Sequence, residues 1–126
     1  MSASAYLETK LLEGTLGGNT YTAAANVYAA LFTTSLDNSV SGTEVTGNGY
    51  SRQDVDWNIA NNVADSSGNV SFTASGNAWG TVQGFAIFDA NTSGNALYWQ
   101  NLPSAIYVAD GDTITFTTGN IIVTAT

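Results

Sequence analysis

Residues Asn26–Thr33 read NVYAALFT, and Thr81–Asp89 read TVQGFAIFD. In the first stretch, Val27, Ala29 and Leu31 fall on one side of an extended chain, and Tyr28, Ala30 and Phe32 on the other. Both sides are apolar, which describes a central strand covered on both faces. The second stretch is again largely apolar, and Gly84 inside it indicates a bulge or a close backbone approach. Strands of this kind must be buried between layers, so the chain is read as a β-domain.

Shorter runs extend that reading in both directions. Tyr50–Trp57 alternates, with Arg52, Asp54 and Asp56 on one face and Gln53, Val55 and Trp57 on the other. Asn69–Ala74 places Val70 and Phe72 on one side and Ser71 and Thr73 outward. Ala96–Gln100, Ala105–Ala109, Asp112–Thr117 and Asn120–Thr124 complete about eight strands. Between the strands lie Asp37-Asn38, Gly47-Asn48-Gly49, Ser67-Gly68-Asn69, Ser93-Gly94-Asn95, Asp110-Gly111-Asp112 and Gly119-Asn120, all residues that tolerate positive φ. Short strands with closely spaced turns indicate a mainly all-β fold, a β-sandwich or jelly roll of short antiparallel strands, or a small barrel.

The N-terminus obeys a different period. Ser4 can cap a helix over Ala5–Glu13, with Gly14 as its stop. Ala3, Leu7 and Leu11 form one stripe, and Leu12 lies about 100° around the helix from Leu11. A short helix with two apolar sides needs two things to pack against. Both can belong to the same domain, or one can belong to another subunit. The division expected is a helical arm over 1–18 and a β-sandwich or jelly-roll domain over 19–126. Tyr6, Leu7, Leu11 and Leu12 are the residues expected to contact another subunit or a capsid. Truncating the arm is expected to weaken that docking more than folding.

Composition removes most function classes. The chain has 126 residues, enough for a single core. It contains no cysteine and no histidine, which excludes disulfides, thiol nucleophiles, imidazole bases and Ser-His-Asp triads. Lys and Arg number 2 against 10 acidic residues, a net charge of −8, which argues against nucleic-acid and anionic-membrane partners. No apolar run reaches the ~18 residues of a membrane span, and Met1–Ser4 lacks the basic residues of a targeting segment. The triplets Asn69-Val70-Ser71 and Asn91-Thr92-Ser93 are read as chance matches to a glycosylation signal.

The remaining constellations are weak as chemistry. Asp54 and Asp56 project the same way from one strand and could hold a hard cation, but no Glu or His completes a site and Arg52 offers a partner. Asp110-Gly111-Asp112 lacks the spacing of a calcium loop and reads as a tight turn. The glycines flanking Asn48 precede no helix, so they form no phosphate cradle. Trp57 and Trp99 share strand faces with Val55 and Leu97 and read as core, whereas Trp79 could be exposed for stacking on a sugar. No catalysis, metal or cofactor is expected.

Several segments in order carry a resemblance. They are Val27–Thr33, Gly42–Val45 through Gly49–Arg52, Trp79–Val82 with Phe85–Asp89, Gly94–Trp99, and Asp110–Phe116. Together with Tyr6-Leu7-Glu8 they resemble the small tailed-bacteriophage structural proteins labelled tail-fibre protein. They are also similar to the jelly-roll cement, or decoration, proteins of phage heads. The resemblance implies a virion component with no catalytic residues to carry over. It implies a homotrimer made in the host cytoplasm and seated on the major capsid protein at the outer head surface, resisting the pressure of packaged DNA. The alternative is a tail-tip or tail-fibre adhesin subunit that binds host surface glycan.

Overall fold

A computed structural model describes residues 1–125 of the chain. Among them the element order is β1 (Ser2–Ala3), α1 (Ala5–Thr15), β2 (Val27–Phe32), β3 (Gln53–Val55), β4 (Trp57–Ala60), β5 (Val63–Ser66), β6 (Val70–Thr73), β7 (Gly80–Phe88), β8 (Ala96–Val108), β9 (Thr113–Phe116) and β10 (Ile122–Thr124). The fold is mainly β, with every strand pairing antiparallel. A five-stranded sheet runs β1-β8-β7-β2-β3; a three-stranded sheet runs β10-β5-β4; β6 and β9 form a pair.

The doubly apolar reading of β2 holds. On one face Ala29 and Leu31 join Val82, Phe85 and Ile87 of β7, packed against Phe72 of β6 and Ile114 of β9. On the opposite face Ala30 and Phe32 meet Ala86 and Phe88, covered by Leu36 from the loop after β2. The smaller sheets therefore cover one side of the large sheet, and that loop covers the other. Gly84 performs both expected roles. The β7–β8 register shifts between Val82 and Gly84, and a Cβ on Gly84 would lie 2.8 Å from Leu36 Cγ and 3.0 Å from the Thr34 carbonyl.

The strand pattern departs from the sequence reading in four places. Tyr50–Trp57 is not one strand: β3 pairs with β2, and after Asp56 the chain crosses to pair as β4 with β5. The two strands expected over 96–109 are one, β8, because residues 102–105 loop out around Pro103 while the pairing to β7 resumes at Ile106. The β4–β5 hairpin was not anticipated; its turn uses Asn61 at φ 56°. Nor was β1, only two residues long.

The N-terminal segment is tied to the sheet rather than hung from it. Ser2 and Ala3 pair with Trp99 and Tyr98 of β8. Ser4 caps α1 as expected, its Oγ accepting from the Leu7 amide at 3.1 Å while donating to the Ala96 carbonyl at 2.5 Å. The Ser4 amide donates to the Leu97 carbonyl, and the Ala5 amide to the Asn38 carbonyl, each at 2.9 Å. Residues 2–4 of the expected arm thus hydrogen-bond to β8 of the expected domain. Gly14 lies inside α1 and is not its stop. The helix ends where the Gly17 and Asn19 amides close on the Glu13 carbonyl, with Gly18 at φ 72° supplying the reversal.

Candidate functional site

The four helix residues expected to face a partner differ in exposure. Leu7 is turned inward and is only 4% exposed, so it belongs to the chain's own core. Tyr6 is half-buried, with the Lys10 ammonium 5.8 Å from its ring centroid. Lys10 also pairs with Glu13 at 3.2 Å. Leu11 and Leu12 are open to solvent, 49% and 60% exposed, and Leu16, just past the helix, is 82% exposed. Leu12 and Leu16 stand one turn apart and form a ridge, with Leu11 on its flank.

A second apolar surface lies between the large sheet and the three-stranded sheet. Val27, Ile87 and Leu97 form one wall and Trp57, Ile59 and Val123 the other, around a cleft of about 220 Å³. Ile59 is 75% exposed although it shares its strand face with Trp57, because the β4–β5 hairpin extends past the core. This cleft was missed in the sequence. The available signal was Trp57-Asn58-Ile59, whose alternation continues to a turn at Asn61-Asn62.

Asp54 and Asp56 are both exposed, and Arg52 bonds to neither. Arg52 instead forms a bidentate pair with Glu44, Nε to Oε2 at 2.9 Å and NH2 to Oε1 at 2.8 Å. Its NH1 donates to the carbonyls of Ala90 and Ser93 at 2.8 and 2.7 Å. Its guanidinium lies 3.8 Å from the Phe88 ring centroid. Tyr50 completes the network: its hydroxyl donates to Glu44 Oε2 at 2.6 Å and accepts from the Leu31 amide at 3.0 Å. Burial, with the bond to Glu44, pushes the Tyr50 phenol far above its usual range. The network ties the loop after β2, the entry to β3 and the β7–β8 turn together.

The other sequence candidates also serve as joints. Asp110 accepts from the Gly76 amide and Asp112 from the Ala109 amide, so the Asp-Gly-Asp carboxylates hold turns. Gly47, Asn48 and Gly49 all adopt positive φ, and the Asn48 carbonyl accepts from Trp79 Nε1 at 2.9 Å. Asp37 accepts from the Ser39 hydroxyl and amide, which hold its carboxyl below the usual carboxylate value. Trp79 is the most buried of the three tryptophans, at 8% exposed, and is not available for stacking on a sugar. Trp99 is half-buried and donates to Asn38 Oδ1 at 3.1 Å. Among the described residues no tryptophan is fully exposed.

No curated protein matches the chain. The family described as podophage GP4 fiber I protein gp80 matches residues 2–124, from β1 to the end of β10. A match over nearly the whole chain agrees with the resemblance to phage structural proteins labelled tail-fibre protein. The chain belongs to the podophage GP4 fiber I protein gp80 family, a family of bacteriophage virion structural proteins.

Proposed function

We propose that the chain is a non-catalytic building block of the tail-fibre apparatus, held to its neighbours by apolar and main-chain contacts. The observation that carries this reading is the pairing of an exposed leucine ridge with an uncharged apolar cleft on a chain of net charge −8. Such a protein has little to offer nucleic acid or an anionic membrane, and its open apolar surfaces suit docking within an assembly. The family's description as a fibre protein favours the tail over the outer head surface, and so over the major capsid protein as partner.

The glycan-adhesin form of the fibre reading draws less support. Sugar stacking wants an open aromatic face, whereas Trp79 is buried and Trp57 and Trp99 are half-buried. Separating purified virions into heads and tails tests the assignment. The chain is expected in the tail fraction. Recovery with heads at a fixed ratio to the major capsid protein would establish the decoration role instead.

A further inference from the structure

We propose that Asn48 is a site of spontaneous covalent modification, in which the Gly49 amide closes on the Asn48 side chain, and that the turn holding the two gates the reaction. Asn48-Gly49 is the only Asn-Gly step in the chain. Glycine leaves its own amide nitrogen unshielded, since no Cβ stands beside it. Both residues are exposed to water. Among the described residues neither the Asn48 carboxamide nor the Gly49 amide has a hydrogen-bond partner, so electrophile and nucleophile are both free.

The step balances with water alone. The Gly49 nitrogen bonds to Asn48 Cγ, the Cγ–Nδ2 bond breaks, and ammonia leaves with the amide proton. The product is a succinimide. Water then cleaves one of its two carbonyl–nitrogen bonds. One cleavage leaves aspartate; the other leaves isoaspartate, whose main chain runs through Cβ and Cγ and is one carbon longer. Either product adds a negative charge, and isoaspartate also lengthens the chain two residues before Tyr50, whose hydroxyl holds Glu44. This lies beyond the assembly reading and holds wherever the chain sits in the virion.

The turn sets the rate. Asn48 at φ 52° and Gly49 at φ 82°, with the Tyr50 amide donating to the Gly47 carbonyl at 3.0 Å, form a type I′ turn. In that turn the Gly49 nitrogen lies across the Asn48 Cα–C bond from Cβ, out of reach of Cγ. Ring closure requires the Asn48–Gly49 peptide to rotate about that bond. Rotation pulls the Asn48 carbonyl off the Ser75 amide, at 2.8 Å, and off Trp79 Nε1, at 2.9 Å. Asp110-Gly111, which can close the same ring, is pinned at both reacting groups. The Gly111 amide donates to the Ala74 carbonyl and the Asp110 carboxylate accepts from the Gly76 amide, each at 2.9 Å.

The test incubates the full chain at mildly alkaline pH, folded and in denaturant, and maps conversion by peptide mass spectrometry. Asn48 is expected to convert ahead of every other asparagine in both states, and at least ten-fold more slowly in the folded chain. Trp79→Phe keeps an aromatic ring and loses the indole donor. It should speed conversion of folded Asn48 roughly five-fold, the equilibrium value of one net hydrogen bond, while Asn38-Ser39 keeps its parent rate. If Asn38 speeds up equally, the variant has loosened the whole fold, and the parent's folded-to-denatured ratio decides the gating. The isoaspartate form should melt below the parent, whereas Asn48→Asp, which adds the charge without the extra carbon, should keep the parent melting curve. Another asparagine converting first, or no conversion at Asn48 in the folded chain, would overturn the site. Equal rates folded and denatured would overturn the gate.

Discussion

Replacing Arg52 by Met should destabilise the fold more than any exposed substitution. The guanidinium makes four hydrogen bonds, two to Glu44 and one each to the Ala90 and Ser93 carbonyls, and it covers the Phe88 ring. Methionine keeps part of the packing but leaves Glu44 with only Tyr50 as a donor among the described residues. Breaking a buried ion pair from one side costs about 3–5 kcal/mol. The Arg52 side chain is 7% exposed but that of Glu44 is 23% exposed, so water softens the loss, and about 2–4 kcal/mol is expected. At about 2.1 cal/mol/K of unfolding entropy per residue, that lowers Tm by roughly 8–15 °C for a chain of this length. The assay is thermal or denaturant unfolding of Arg52→Met, Glu44→Gln and the double variant. The double variant should recover at least about 1 kcal/mol relative to the sum of the single losses. A loss below about 1 kcal/mol for Arg52→Met, or strict additivity, would refute the network as a stabilising unit.

Three further outcomes follow from the same geometry. Because burial and Glu44 raise the Tyr50 phenol above its ordinary 10.0, its neutral form is favoured in the fold. Its contribution is therefore whole below pH 10.0 and is lost progressively above it. Absorbance titration should show Tyr50, identified by comparison with Tyr50→Phe, ionising only as the chain unfolds; ionisation in the folded state would contradict this. Gly84→Ala should destabilise by about 1–3 kcal/mol through collision with Leu36 and the Thr34 carbonyl, with part recovered in Gly84→Ala/Leu36→Ala. An unchanged unfolding midpoint would show that the approach is not tight. Ser4→Ala should cost about 1–2 kcal/mol, since it removes both the helix cap and the bond to Ala96. Loss of helical signal without any change in the β transition would show instead that the helix is a separable arm.

The doubly apolar strand and the turn clusters were legible because they rest on local rules. NVYAALFT permits few other environments, and each Gly- or Asn-rich turn declares its own backbone need. Boundaries set by distant pairing were not legible. The split at Asp56 arises because β3 and β4 find partners in different sheets, and nothing in Tyr50–Trp57 marks the change. β8 runs through Pro103 because the bulge places that residue where no amide is needed by β7. The helix face was half legible. Period identified Leu7, Leu11 and Leu12, but only the pairing of Ser2 and Ala3 with β8 decides that Leu7 turns inward. Arg52 was assigned to the wrong carboxylates for the same reason, since Glu44 approaches it from a loop eight residues away.

Electron microscopy of intact virions decorated with a gold-labelled antibody against this chain tests the central claim most directly. The account predicts gold confined to the fibres and their attachment around the tail. Label spread over the capsid surface, with the tail bare, would contradict it.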